Sequence, residues 1–213
     1  MKIKNFQEIY EHLFEHYGPQ HWWPADTDFE MMISAILVQN TNWRNVEKAL
    51  EQLRPYLTPQ QLDVLSKEEI AQFIRSSGFY NRKAERIKSF LSWLKNYHFH
   101  IDSIRDKDKK QLREELLQIS GIGKETADSI LLYVFNTPVF IVDAYTKRIF
   151  YRLGYDLPDD YDSFRQLVEK DLPQDVQLYN EFHALLVQHA KTYCKSKPIC
   201  DRCPLSGLCK RRV

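Results

Sequence analysis

All cysteines of the chain lie close together near its C-terminal end, in the run CKSKPICDRCPLSGLC. The spacing is C-x5-C-x2-C-x5-C, formed by Cys194, Cys200, Cys203 and Cys209. Clustered thiols in a protein that we expect to be cytosolic favour a shared metal centre over disulfides. Zinc and an iron–sulfur cluster both accept four thiolates, so the spacing predicts a metal centre and leaves its identity open.

Two glycines stand one residue apart in the stretch LQISGIGKETADSILLYV. The apolar spacing of QLREELLQI predicts a helix over residues 111–119, and a second helix is predicted to begin near Lys124. Gly121 and Gly123 permit positive φ and bring bare backbone N–H groups to the surface, with Ile122 packed inward between them. The N-terminus of the second helix lies behind these groups, an arrangement that suits a phosphate oxygen. Alternatively, the glycines serve only a tight turn.

The rest of the chain must supply helices that position these two features. Apolar residues recur at helical spacing in FQEIYEHLFEHYG and NVEKALEQLRPYL, and strand signals are scarce. Of the 213 residues, 43% are hydrophobic and 28% are charged, which is ordinary for a globular protein. The longest apolar runs fall short of the ~20 residues that a membrane span needs. The charged N-terminal stretch does not resemble a signal peptide. We therefore expect a cytosolic, nearly all-helical protein without a membrane partner.

Net charge is +1, but basic residues are concentrated at one end. Residues 191–213 carry seven lysines and arginines against one acid, Asp201. Such a basic end on a slightly acidic body is consistent with a phosphate-facing patch, and equally with a solubilising tail.

Several stretches together resemble one known family. LLQISGIGKETA followed by PVFIVDAYTKRI is similar to the helix-hairpin-helix DNA glycosylases, the superfamily of endonuclease III and the adenine glycosylase MutY. SAILVQNTNWRNVEKAL resembles the early helix of these enzymes, GFYNRKAERI resembles a helix-opening segment, and the cysteines resemble their C-terminal [4Fe–4S] loop. The resemblance covers roughly residues 20–209. One departure is the first cysteine gap, which holds five residues where the family usually has six.

The resemblance implies an all-α, two-lobed helix-hairpin-helix DNA glycosylase fold and a role in base excision repair. The substrate would be double-stranded DNA that contains a damaged base, which the enzyme flips out of the duplex. The implied cofactors are a [4Fe–4S] cluster on the four cysteines and a monovalent cation at the hairpin. We expect a monomer that associates with the nucleoid in the cytoplasm.

By this resemblance the catalytic carboxylate is Asp143, which would stabilise the cationic sugar or direct a water. Read alone, Asp143 stands just before a helical run, the ordinary position of an N-cap. Bifunctional members carry a lysine nucleophile where this chain has Glu125, which predicts a monofunctional enzyme. Lys124 is adjacent but rotated by ~100° around the helix. Lys124 and Glu125 stay secondary candidates, and Glu125 also suits the helix dipole.

The same resemblance implies further site residues. The stretch with Trp22, Trp23 and Trp43 resembles the corresponding stretch of the 3-methyladenine DNA glycosylase III (MagIII) branch. Indole rings in such a pocket would select an alkylated base by stacking and cation–π contact. Alternatively, Trp22 and Trp23 staple the N-terminal helix to the core. The predicted base pocket is formed by Trp22, Trp23 and Trp43. The predicted DNA-binding residues are Gln39, Gly121, Ile122, Gly123, Lys124 and Thr126. Gln39 could instead end a buried stripe, and His183 and His189 are assigned structural roles.

The predicted domains are residues 25–135, ending in the hairpin, and residues 1–24 plus 136–213, with the cluster loop at 191–213. Polar connectors are predicted at 103–111 and 154–164. The favoured function is hydrolytic removal of alkylated, 3-methyladenine-type bases without lyase activity.

Two alternatives remain open. One is an endonuclease III-type enzyme that acts on oxidised pyrimidines, with or without strand cleavage through another lysine such as Lys147. The other is a non-catalytic, damage-sensing DNA-binding protein.

Overall fold

The computed structural model describes residues 5–212, so residues 1–4 and 213 of the second predicted domain lie outside the described part. Within that range the protein is helical and contains no β-strand, which confirms the all-α prediction for this part of the chain. The α-helices are α1 Phe6–Tyr17, α2 Asp28–Leu37, α3 Trp43–Leu53, α4 Pro59–Val64, α5 Lys67–Phe73, α6 Tyr80–Lys95, α7 Lys109–Gln118, α8 Lys124–Tyr133, α9 Ala144–Leu153, α10 Tyr161–Asp171 and α11 Val176–Thr192. Short 3₁₀ helices occur at Arg54–Tyr56, Arg75–Ser77 and Ile101–Ile104.

Membrane-spanning segments were sought among the same residues. None of the helices between residues 5 and 212 combines the length and the apolar character that crossing a bilayer requires.

The chain divides into two compact units. The first, Pro24–Phe135, contains α2 to α8 and is called the hairpin unit. The second combines the described residues up to Trp23 with those from Asn136 onward. It contains α1 and α9 to α11 and is called the cysteine unit.

The hairpin unit is built around α2, whose sequence DFEMMISAIL is apolar apart from Asp28, Glu30 and Ser34. A helix of this kind has to be buried, and every residue from Phe29 to Leu37 is buried. Helices α3, α6 and α8 pack against it. At its C-terminal end, the buried Lys83 ammonium donates to the carbonyls of Leu37 (2.7 Å) and Ser77 (2.6 Å). Lys83 thereby satisfies a carbonyl at the end of α2 that has no partner within the helix.

The cysteine unit is centred on α11, which packs against α1 and α9. Aromatic rings fill the space between these helices. Phe150 of α9 lies 5.0 Å from the ring of Phe6 and 6.3 Å from that of Phe182. Edge-to-face pairs of this kind add to the burial energy of the rings. The result is a rigid frame for residues at the N-terminus of α9 and along α11.

Three sequence-based boundaries differ from the structure. The predicted early helix is two helices, α2 and α3, because the chain leaves the helix after Leu37 and restarts at the Asn42 cap. The predicted connector 103–111 ends inside α7, since the Asp108 side chain caps that helix. The connector 154–164 likewise ends inside α10.

Candidate functional site

The hairpin is a four-residue turn followed by the N-terminus of α8. Ile122 is buried, and its N–H donates to the carbonyl of Ile119 at 3.0 Å. Gly121 has φ +84°, a left-handed conformation that L side chains rarely adopt. Gly123 is the N-cap of α8 with extended backbone and open space around its Cα hydrogens. The two glycines therefore meet different demands.

Gly121 is required by a contact inside the protein. A Cβ atom at this position would lie 2.2 Å from Cγ of Arg86, whose side chain runs alongside the turn. The Arg86 guanidinium donates to Oε1 of Gln39. The Gln39 amide in turn donates to the carbonyl of Gly121 (3.2 Å) and to Oγ1 of Thr126 (2.9 Å). These bonds join the loop after α2 to both sides of the hairpin.

The first turn of α8 also departs from the other helices. In the described chain, nine of the eleven α-helices begin with an Asn, Asp, Ser or Thr side chain bonded to a backbone N–H, and α6 and α8 are the two exceptions. Gly123 has no side chain to cap α8. Lys124 is half-buried and Glu125 is exposed in the first turn, whereas Thr126 is buried. Such an N-terminus is suited to bind an anion.

A buried ion pair braces the hairpin from behind. Asp128 of α8 is fully buried, and Arg113 of α7 donates to its two oxygens at 2.6 and 3.1 Å. This two-pronged geometry fixes α7 and α8 relative to each other. The orientation of the turn is thus set by side chains that the glycine motif alone does not reveal.

Asp143 begins α9 in the cysteine unit and is 8% exposed. Its Oδ1 accepts the backbone N–H of Thr146 at 2.7 Å, so Asp143 is indeed an N-cap. Its Oδ2 lies 3.7 Å from Nε2 of the buried His183. Burial by itself raises the pKa of Asp143, but His183 and the Thr146 groups together bring this pKa below its usual value. Asp143 is therefore a carboxylate at neutral pH.

A stacked pair of indole rings lies next to His183. The ring centroid of Trp22 is 5.6 Å from that of His183 and 5.5 Å from that of Trp23, and the two indoles are stacked. The Lys191 ammonium lies 5.7 Å from the Trp22 ring centroid. Trp22 and Trp23 belong to the cysteine unit, whereas Trp43 is half-buried at the start of α3 in the hairpin unit.

The cysteines line a common cavity of about 200 Å³ in the cysteine unit, together with apolar side chains such as Leu205 and Ile199. Burial raises the pKa of Cys203 and Cys209, and the neighbouring thiols raise it further. Among residues 5–212, no three His, Cys, Asp or Glu side chains form a group that would hold a single metal ion.

Polar side chains lie beside two of the sulfurs in this cavity. Arg152 donates to Sγ of Cys194 at 3.5 Å, and Nε2 of His189 lies 3.7 Å from Sγ of Cys203. Arg148 donates to the carbonyl of Cys194 at 2.9 Å. Both arginines belong to α9, so the helix that begins at Asp143 also holds the cysteine loop.

Comparison with known proteins agrees with these features. The model of the HhH-GPD superfamily, described as base excision DNA repair proteins, matches residues 33–174. The chain belongs to the HhH-GPD superfamily. This membership confirms the family resemblance of the motifs, and with it the coarse activity, that of a DNA glycosylase in base excision repair.

Two relatives illustrate the breadth of the HhH-GPD match. A protein of Methanocaldococcus jannaschii, named as a candidate DNA repair glycosylase, is 43% identical over 98% of this chain and 97% of its own length. Endonuclease III of Thermotoga maritima is 32% identical over 87% of this chain and 84% of its own length.

Solved structures of glycosylases share the fold. The 3-methyladenine DNA glycosylase MagIII of Helicobacter pylori, bound to 1,N6-ethenoadenine, is similar with a TM-score of 0.78 and 28% identity over 88% of this chain and 98% of its own. A trapped covalent intermediate of endonuclease III and DNA is similar with a TM-score of 0.83 and 27% identity over 98% of this chain and 97% of its own.

The sequence analysis missed three side chains that support the hairpin or Asp143. His183, assigned a structural role, lies beside Asp143. Arg86 and Asp128 hold the hairpin. The available signal for His183 was a lone polar side chain within the buried run HALLV of α11. Arg86 had no comparable signal, because its partner is distant in the chain.

Proposed function

We propose that this protein is a monofunctional DNA glycosylase that removes alkylated, 3-methyladenine-type bases by hydrolysis of the N-glycosidic bond. The observation that carries the proposal is the arrangement in the cysteine unit, where the Asp143 carboxylate and the Trp22–Trp23 stack flank the same histidine. The carboxylate can stabilise a developing positive charge on the sugar, and the indole stack can bind a flipped aromatic base.

The lowered pKa of Asp143 defines its role in this chemistry. A group that is ionised at neutral pH cannot donate a proton to the leaving base. It can stabilise the cationic sugar electrostatically or orient a water for attack at C1′. A 3-methyladenine-type base carries a positive charge in the nucleotide and leaves without added protonation, so the site and the leaving group are complementary.

The stacked indoles support selection of such a base. Electron-poor or cationic rings stack favourably on tryptophan faces. The place of Trp43 in the base pocket stays a prediction. The similarity to MagIII, whose structure holds 1,N6-ethenoadenine, supports a modified purine as the substrate class.

The absence of lyase activity is proposed from Glu125, which occupies the position of the lysine nucleophile in bifunctional members. Lys124 is half-buried one position earlier on α8. Lys147 is exposed on α9, and its ammonium donates to the carbonyl of Asp159 at 2.9 Å. Without a lysine at position 125, water is the proposed nucleophile.

The four cysteines are proposed to hold a [4Fe–4S] cluster. A single zinc ion bound at about 2.3 Å by four sulfurs leaves little space between them. The cavity of about 200 Å³ that these cysteines line together with apolar side chains instead has room for a group of several atoms. When bound, such a cluster supplies a covalent tie across the loop and a redox-active centre. Arg152 then donates to one of the sulfurs, and the His189 ring lies beside another.

The hairpin is proposed to grip a DNA phosphate through the backbone around Gly123 and the first turn of α8, including Lys124. Ile122 holds the turn from below, and Gln39 with Thr126 sets its orientation. The monovalent cation at the hairpin and the monomeric state stay predictions.

A second candidate is an endonuclease III-type activity on oxidised pyrimidines. It is favoured by the identity of 32% to endonuclease III of Thermotoga maritima. This activity could come with or without strand cleavage through another lysine, such as Lys147.

The decisive experiment is base release from a methylated duplex, analysed with and without alkali. Freed methylated purine, with strand breaks only after alkali, is the expected result. Breaks without alkali would contradict the monofunctional proposal, and Lys124→Ala and Lys147→Ala would then identify the amine. Release of oxidised pyrimidines alone would favour the second candidate. Iron and sulfide analysis of the purified protein tests the cluster separately, and stoichiometric zinc would contradict it.

A further inference from the structure

His183 is buried in α11 with a different functional group on each side. Its Nε2 lies 3.7 Å from Oδ2 of Asp143, and its ring centroid lies 5.6 Å from that of Trp22. The side chain is only 4% exposed, so it has little freedom to move. His183 therefore contacts both parts of the proposed site in the cysteine unit.

The two oxygens of Asp143 are held from different helices. Oδ1 accepts the N–H of Thr146, three residues later in the same helix, at 2.7 Å. Oδ2 faces His183 of α11. A buried carboxylate is costly unless its oxygens have partners. With one oxygen fixed by α9, the direction of the second depends on the imidazole.

The indole stack is also held by α11. The N–H of Gln20, two residues before Trp22, donates to Oε1 of Glu181 at 2.6 Å. His183 contacts the Trp22 ring directly, and the Lys191 ammonium lies 5.7 Å from its centroid. Three residues of one helix therefore locate the segment that carries Trp22.

We propose that His183 is a positioning residue that fixes the second oxygen of Asp143 relative to the Trp22 platform. This inference rests on the proposed function, because it assigns the carboxylate to catalysis and the indoles to base binding. A base stacked on Trp22 would then place its sugar at a constant distance from the carboxylate. His183 acts through Asp143 and is not itself assigned contact with the reacting atoms.

Loss of this link should affect the chemical step more than binding. A displacement of about 1 Å at a reacting group lowers rates by about 10²-fold, whereas duplex affinity depends mainly on phosphate contacts. The charge environment of Asp143 should change as well. The polar groups that face Asp143 are His183 from α11 and Thr146 from its own helix. Without the imidazole, the pKa of the carboxyl group should rise.

The test compares His183→Phe, which keeps a ring against Trp22, with His183→Gln, which keeps a polar group. His12→Gln, on the surface of α1, is the matched control. The measurements are the single-turnover rate of base release against pH and the affinity for a duplex with an abasic-site analogue. For His183→Phe we expect about a 10-fold to 10²-fold lower rate at unchanged affinity, and an acidic limb that moves to higher pH. His183→Gln should recover part of the rate.

An unchanged rate and pH profile in His183→Phe would overturn the proposal. So would a rate loss that only parallels lower thermal stability, since that pattern means a structural role. If His183→Phe does not fold, the ¹³C carboxyl titration of Asp143 in His183→Gln decides: an unshifted pKa overturns the proposal. Failure of the proposed function looks different, because the wild-type protein would then release no methylated purine, whatever the carboxyl titration of Asp143 in the His183 variants shows.

Discussion

The hairpin and Asp143 both lie at the start of a helix, but the two helix starts differ in their N-cap residue. At α8 the N-cap is Gly123, which offers no side chain, so the helix start is suited to an external anion. At α9 the N-cap is Asp143, whose own carboxylate occupies the helix start and is buried there. The start of α8 thus has no side-chain cap, whereas the start of α9 is capped by a negatively charged group of the protein itself.

The supports of the two sites differ accordingly. The hairpin is held from behind by charged and amide side chains, namely Arg86, Gln39 and the Arg113–Asp128 pair. Asp143 is held by one backbone N–H and faces one imidazole. Substitutions in the hairpin should therefore change stability or DNA affinity, and substitutions around Asp143 should change the rate of base release.

Replacement of the carboxylate should have the largest effect. Asp143→Asn keeps a good N-cap, so the fold should persist. Loss of the charge should lower the single-turnover rate of base release by at least about 10²–10³-fold, while affinity for an undamaged duplex changes little. Near-normal turnover would show that another group performs the chemistry. The carboxylate at the start of α9 would then be only a helix cap.

The brace behind the hairpin should give the next largest effect, on stability. Asp128→Asn leaves the Arg113 guanidinium facing a neutral group in a buried position. We expect the free energy of unfolding, measured by urea denaturation, to fall by about 3–5 kcal/mol. Glu85→Gln, which removes the exposed partner of Lys67, is the control and should change little. Equal effects of the two substitutions would contradict the role of the brace.

The two glycines should separate stability from binding. Gly121→Ala places a Cβ against Arg86 at φ +84° and should cost about 1–2 kcal/mol of stability. Gly123→Ala and then Gly123→Val should progressively weaken binding to all duplexes, at nearly constant stability, because phosphate contacts carry no sequence information. Binding that is unaffected by Gly123→Val would mean that this glycine serves only the turn.

The smallest effect concerns stability against pH. The pKa of Asp143 is lower in the folded protein than in the unfolded chain, where it is about 3.9. Its contribution to stability is therefore complete above the unfolded value and is lost as the pH falls through the folded value. The difference in unfolding free energy between wild type and Asp143→Asn should shrink from pH about 7 to pH about 3. A constant difference would mean that the carboxylate has an ordinary pKa.

Local patterns predicted the helices better than their ends. The helical spacing of apolar residues in QLREELLQI predicted a helix over 111–119, and the structure has α7 at Lys109–Gln118. The start of α8 at Lys124 agrees with the predicted position. The single early helix was wrong because apolar residues continue to Val38 while the backbone turns there. Backbone turns of this kind depend on caps and on Lys83, which arrives from α6.

Short-range spacing and motifs within single segments were enough to predict the all-helical class, the family and the residue types available for chemistry. Which side chains support those motifs became visible only once the helices were packed. Arg86 reaches Gly121 and His183 reaches Asp143 across some 35 to 40 positions of the chain. Such contacts arise from how helices pack, and packing depends on the whole unit at once.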